Sequence, residues 1–251
     1  MYTDLSGKRV VVTGASGGLG KRIAQRFSAA GSKVTIIGRS QVTWIADSDQ
    51  DNYRSVQCDI QNIEEIERVL GEWEEAGEIC QVLVNNAGVL TEGALLDYSE
   101  KAWDATFNVN LKATFRMCQL FAKHMRGKQD CSIINAASYA ATLPAAFSGV
   151  YAASKAALVS LTRTMAAEWA PYGIRVNAYS PGVVRTPMTE PKLKLHESQM
   201  LEAISLGRLG TPDEVANVVL FLASSASAYV TGTNIDVSGG KLIIQNPGAA
   251  W

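Results

Sequence analysis

Residues 9–31 read RVVVTGASGGLGKRIAQRFSAAG. The β-branched run 9–13 shows no polar alternation and closes on Gly14, the pattern of a strand buried on both faces in a parallel sheet. From residue 19 the pattern changes: apolar side chains fall at 19, 23, 24 and 27, the spacing of one helical face, and Gly31 ends the run. A strand, a glycine-rich turn and a helix therefore follow one another directly.

The same alternation continues outward. KVTIIG (33–38), YRSVQCDI (53–60), CQVLVNNAG (80–88), CSIINAAS (131–138), GIRVNAYSPG (173–182) and TNIDVSGG (233–240) read as further strands. Helical patterns occupy 62–76, 101–126, 151–170 and 212–223, the last with Thr211 as N-cap and Pro212 at its first helical position. Strands alternating with helices predict an α/β fold, a doubly wound parallel sheet of about seven strands with helices on both faces. With no linker or repeat, residues 1–251 read as a single domain. Three segments stand apart. Residues 40–52 lack the periodicity of a crossover helix. Residues 187–208, with two prolines, form an excursion suited to a lid. Residues 241–251 are a tail whose Trp251 either covers a neighbouring subunit's pocket or hangs loose.

Composition narrows the partners. The chain is 47% apolar and 19% charged with net charge −1, so no basic run supports binding to nucleic acid or an anionic membrane. No window reaches the roughly 18 apolar residues of a membrane span. The opening MYTDLSGKRVVVTG lacks a signal-peptide layout. Cys58, Cys80, Cys118 and Cys131 are scattered, as expected of reduced thiols in a cytoplasmic protein. His124 and His196 belong to no Cys/His cluster; both are expected on the surface, and no metal site is expected.

The glycine turn carries the first chemistry. Gly14 permits a tight turn, Gly18 lets backbone approach a pyrophosphate, and Gly20 lets the helix pack closely. Ser16 and Leu19 share the turn, and the helix start offers free N–H groups to phosphate. At the end of the second strand, an acidic residue would select NAD(H) by binding the ribose hydroxyls. Here Gly38, Arg39 and Ser40 follow instead, and a guanidinium forks onto phosphate, so NADP(H) is expected in preference to NAD(H). If Arg39 is only a solvated side chain, NAD(H) remains the alternative. Asp59 and Ile60, ending the third strand, face the adenine side.

Tyr151 and Lys155 stand one helical turn apart with only small residues between them. An ammonium about 4 Å from a phenol, at an effective dielectric near 20, favours the phenolate by about 4 kcal/mol. That is roughly three pKa units, enough to make Tyr151 a general acid or base at neutral pH. Ser138, thirteen residues earlier at a strand's C-terminal end, is placed to bind the substrate oxygen.

Taken together, the Thr-Gly-x3-Gly-x-Gly turn at 13–20, NNAG at 85–88, Asn110 in NVNL, Ser138, the Tyr-x3-Lys pair at 151 and 155, and PGVVRT at 181–186 resemble the short-chain dehydrogenase/reductase family over about residues 5–240. The resemblance is to the 3-oxoacyl-reductase and secondary-alcohol dehydrogenase type. It implies a Rossmann fold and hydride transfer between nicotinamide and a ketone or secondary alcohol. Tyr151 would be the proton donor or acceptor, Lys155 would tune it and hold the nicotinamide ribose, and Asn110 would hold a water leading from Lys155 to solvent. Asn86, Ala87 and Gly88 would lie beside the cofactor, with Asp59 on the adenine. Pro181, Gly182, Val184 and Thr186 would flank the nicotinamide. The resemblance also implies a homo-oligomer, a tetramer or dimer, joined through the helices that begin near 101 and 151.

The substrate pocket is expected to be lined by Ser138, Tyr139, Ala140, Leu143, Pro144, Phe147, Val183 and Met188. That set is mostly apolar and favours a small-molecule ketone or alcohol with an apolar or aromatic body. Leu143 and Phe147 are equally readable as core. Arg185, Lys192, Lys194 and Arg208 keep a carboxylate or acyl-carrier partner open. The competing reading is a nucleotide-sensing regulator without turnover.

Overall fold

The computed structural model describes residues 2–241, apart from the side chains of residues 47, 48 and 50. The tail expectation, Trp251 included, lies outside the described residues beyond Lys241. Seven strands form one parallel sheet: β1 (Arg9–Thr13), β2 (Lys33–Gly38), β3 (Tyr53–Gln57), β4 (Cys80–Asn85), β5 (Cys131–Ala136), β6 (Ile174–Pro181) and β7 (Asn234–Val237). Their order is β3-β2-β1-β4-β5-β6-β7. Val12 pairs with Ile36 on one side and Val84 on the other, so β1 and β4 are neighbours at the sheet's centre. The chain winds away from that line in opposite directions, which opens a crevice at the strands' C-terminal ends.

The helices are α1 (Gly18–Ala29), α2 (Ile63–Glu75), α3 (Glu100–Phe107), α4 (Thr114–Met125), α5 (Gly149–Trp169), α6 (Glu190–Glu202) and α7 (Pro212–Ala223). Alternation along each strand sends side chains to two cores. Val10, Val12, Ile36 and Val84 meet Ile23 and Phe27 of α1 and Val215 and Val219 of α7. Val11, Ile37, Leu83 and Ile133 meet Trp73 of α2, Phe121 of α4 and Met165 of α5. Fully burying one side chain such as Phe27 stabilises by about 1.5–3 kcal/mol. Local signals set the boundaries. Thr211 and Glu214 form a capping box at α7, with Pro212 in its first turn. The Asn62 side chain accepts from the Glu65 N–H at the start of α2.

Three details depart from or refine the sequence expectations. Residues 40–52 contain only a 3-10 turn at Asp47–Asn52; Trp44 holds this connection by donating its indole N–H to the Ala15 carbonyl at 3.0 Å. The pattern at 101–126 is broken between α3 and α4 by a π-helical turn, Asn108–Ala113. His124 is not on the surface: it is buried in α4, its Nε2 accepts the Cys80 N–H at 3.0 Å and its Nδ1 donates to Glu74 at 3.2 Å. His196 is exposed, at a kink within α6. All four cysteines are buried free thiols.

Candidate active site

A cleft of about 470 Å³ runs along the C-terminal ends of the strands. Its floor is the glycine turn. Gly14 sits at φ +68°, and a Cβ there would lie 2.8 Å from the Ala87 Cα, so only glycine lets this turn meet the NNAG segment. A Cβ on Gly20 would lie 2.5 Å from both Asn86 Nδ2 and the Gly14 carbonyl. Asn86 closes the arrangement by donating to the carbonyls of Thr13 (3.1 Å) and Gly14 (3.2 Å) and accepting from the Tyr179 hydroxyl (3.3 Å). The first turn of α1 has no side-chain cap, which leaves its N–H groups directed at the cleft.

Gly14, Ser16, Gly18, Leu19, Gly20, Arg39, Ser40, Asp59, Ile60, Asn86, Ala87, Gly88, Pro181, Gly182, Val184 and Thr186 all line this one cleft. Residues spread from 14 to 186 are thus brought to one surface. Arg39 is exposed at the end of β2 and makes no ion pair among the described residues. Asp59 accepts from the Gln61 N–H at 2.9 Å. A dinucleotide fits this cradle. Glycines stand where a side chain would collide, helix N–H groups are uncapped, and a free guanidinium stands at the far end.

At the other end Ser138, Tyr151 and Lys155 converge on the same cleft. Ser138 follows β5, and its hydroxyl also accepts from the Ala140 N–H at 3.2 Å. The Ser138 hydroxyl lies close enough to the Tyr151 phenol to favour its ionised form. The Lys155 Nζ is buried, lies 5.9 Å from the centre of the Tyr151 ring and donates to the Ala136 carbonyl at 2.7 Å. The electrostatics correct one expectation. Burial pushes the Tyr151 phenol up, and the nearby Ser138 hydroxyl opposes this only in part. Burial likewise pushes Lys155 down, to about 8. The phenol therefore keeps its proton at neutral pH, as a general acid requires.

Asn110 is fully buried on the π-helical turn and does not line the cleft. Its amide accepts the Val89 N–H (2.8 Å) and donates to the Val89 carbonyl (2.9 Å) and to Ser154 (3.2 Å). It therefore ties the chain after β4 to α5, one residue before Lys155, and its amide donors are already engaged.

Of the expected substrate residues, Ser138, Tyr139, Ala140, Val183 and Met188 line the cleft. Leu143 and Phe147 do not: they are 49% and 63% exposed, so they are neither cleft wall nor core. Phe147 has φ +66°, and its carbonyl is held by the Gly93 N–H at 2.8 Å. Sequence reading passed over Tyr179, Leu90 and Met200, all lining residues. The position of Tyr179 near the end of a strand was the available signal.

A nucleotide cradle continuous with a Ser–Tyr–Lys group defines an NAD(P)-dependent oxidoreductase. A family model described as Enoyl-(Acyl carrier protein) reductase matches residues 14–241. The 3-oxoacyl-[acyl-carrier-protein] reductase FabG of Vibrio cholerae is 36% identical over 96% of this chain and 100% of its own. The NAD-dependent glycerol dehydrogenase of Listeria innocua is 37% identical over 96% of each chain. The aldohexose dehydrogenase of Thermoplasma acidophilum superposes with a TM-score of 0.89 at 31% identity, covering 98% of both chains. The chain belongs to the short-chain dehydrogenase/reductase family.

Proposed function

We propose that this enzyme is an NADP(H)-dependent carbonyl reductase that interconverts a ketone and a secondary alcohol. The observation that carries the reading is the half-buried, protonated Tyr151, which lines the nucleotide cleft together with Ser138 and Lys155. When bound, the reduced nicotinamide supplies a hydride to the carbonyl carbon. Ser138 holds the carbonyl oxygen, and Tyr151 delivers its proton there as negative charge develops. Lys155 presents a buried cation behind the phenol and stabilises the tyrosinate left after proton transfer. Val183, Met188 and Ala140 exclude water and favour a substrate with an apolar or aromatic body.

Cofactor preference rests on Arg39, a free guanidinium at the end of β2 where no carboxylate stands. The 37% identical NAD-dependent relative supports an NAD-preferring enzyme as the second reading. Buried free cysteines agree with a cytoplasmic setting, and among the described residues no helix is long and apolar enough to cross a membrane. On α3 the exposed Trp103 stacks on Phe107 with 4.6 Å between ring centres, which supports a dimer or tetramer joined through this helix and α5.

The test is a panel of ketones and secondary alcohols run with both cofactors. Ketone-dependent loss of NADPH absorbance, faster than with NADH, is expected. Faster turnover with NADH, or alcohol oxidation without measurable ketone reduction, would reverse the assignment.

A further inference from the structure

The cleft's charged lining divides by position. Arg39 and Asp59 stand at the ends of β2 and β3 on the nucleotide side, and Lys155 lies beneath Tyr151. Lys192 is the only other charged side chain among the described lining residues, and it stands on α6 above the substrate region. The neighbouring basic residues are engaged elsewhere. Arg185 bridges Glu190 and Glu197, Arg208 pairs with Glu214, Lys194 is exposed, and none of the three lines the cleft.

Lys192 is held in place from both sides. The next residue, Leu193, is buried in a small cluster with Val183 and Ile204, against which Tyr139 packs. This fixes the face that α6 presents. The Lys192 ammonium pairs with the Glu92 carboxylate, which comes from the loop between β4 and α3. That loop is itself pinned at Val89 by Asn110 and at Gly93 by the Phe147 carbonyl. The pair thus ties α6 to this loop beside the cleft, and the Tyr139 phenol, one residue from Ser138, feels both charges.

We infer that Lys192 is a specificity-determining residue that selects ketones carrying a carboxylate at the end remote from the reacting carbonyl, with Glu92 holding the ammonium until that carboxylate replaces it. The inference rests on the carbonyl-reductase reading above. The exchange is like for like, carboxylate for carboxylate, so the ammonium is never left unpaired. Both partners of the resident pair are more than a third exposed, and such pairs contribute little. A substrate carboxylate would meet the same ammonium inside the cleft, against the apolar side chains of Val183, Met188 and Met200, where the interaction is less screened.

The experiment compares an aliphatic oxo acid with its methyl ester, NADPH being the reductant. The readout is the ratio of kcat/KM for acid over ester, so a general loss of activity cancels. The native enzyme should favour the acid. Lys192→Gln should lower the ratio by about tenfold, a charge-assisted hydrogen bond in a partly exposed setting, mainly through KM for the acid. Lys192→Arg should keep most of the preference, Glu92→Gln should raise it, and added salt should erode it. NADPH affinity measured by fluorescence checks that each variant is folded. Reduction of the ester with no preference for the acid, or a ratio that Lys192→Gln leaves unchanged, overturns the specificity role while leaving the carbonyl-reductase reading intact. Reduction of neither compound, nor of any neutral ketone, overturns both.

Discussion

The ammonium of Lys155 rests on the carbonyl oxygen of Ala136, 2.7 Å away at the last residue of β5. This bond locks α5 to the end of the strand that leads into Ser138, so the positions of Tyr151 and Ser138 are set together. It also keeps a cation where water does not reach it.

The cost of that burial makes stability depend on pH. Lys155 binds its proton with a pKa of about 8 in the folded chain, against 10.5 for an ordinary lysine. Between those values the unfolded chain holds more proton, so raising pH favours the folded state. The contribution is fully present above 10.5 and is lost as pH falls through about 8. Urea titrations of the wild type and Lys155→Met should therefore show the wild type gaining relative stability across that window; a difference independent of pH would contradict a buried ammonium.

Tyr151→Phe removes the transferable proton but little volume. Ketone reduction should fall by about 10²–10⁴-fold, with NADPH affinity retained in a fluorescence titration. Ser138→Ala should cost less, on the order of tenfold to a hundredfold, because the phenol still reaches the oxygen. A Tyr151→Phe variant within tenfold of wild type would remove the acid role from this residue.

Arg39→Ala deletes the guanidinium at the end of β2. The KM for NADPH should rise by about tenfold or more, the worth of one charge-assisted hydrogen bond to phosphate, while the KM for NADH stays within about twofold of its native value. Equal effects on both cofactors would speak for a solvated Arg39 and for the NAD-preferring reading.

Two glycine-to-alanine changes should have opposite signs. At Gly20 the new methyl would lie 2.5 Å from Asn86 Nδ2 and the Gly14 carbonyl, and overpacking of this kind costs about 1–3 kcal/mol. At Gly71, within α2, nothing lies within 4 Å, and removing a helical glycine should stabilise by about 0.5–1 kcal/mol. A Gly20→Ala denaturation midpoint at or above that of the wild type would rule out the close packing described at Gly20, and a lowered midpoint for Gly71→Ala would rule out the open space at Gly71.

The alternation of strands and helices, the glycine turn, the Ser138–Tyr151–Lys155 group and the residues at the strand ends were all legible in the sequence. Each depends on short-range spacing, a run of branched residues, an i,i+4 pair or a turn glycine, and the parallel-sheet rules then bring the strand ends to one edge. What the tertiary structure alone decided depends on distant neighbours and on desolvation. His124 is buried because the Cys80 N–H, forty-four positions earlier, needs an acceptor. Asn110 is bound by Val89 and Ser154, while Leu143 and Phe147 turn outward. Of the four basic residues around 185–208, only Lys192 faces the cleft. The direction of the Tyr151 shift follows the same logic: spacing placed a cation nearby, but the depth of burial determined which effect prevailed.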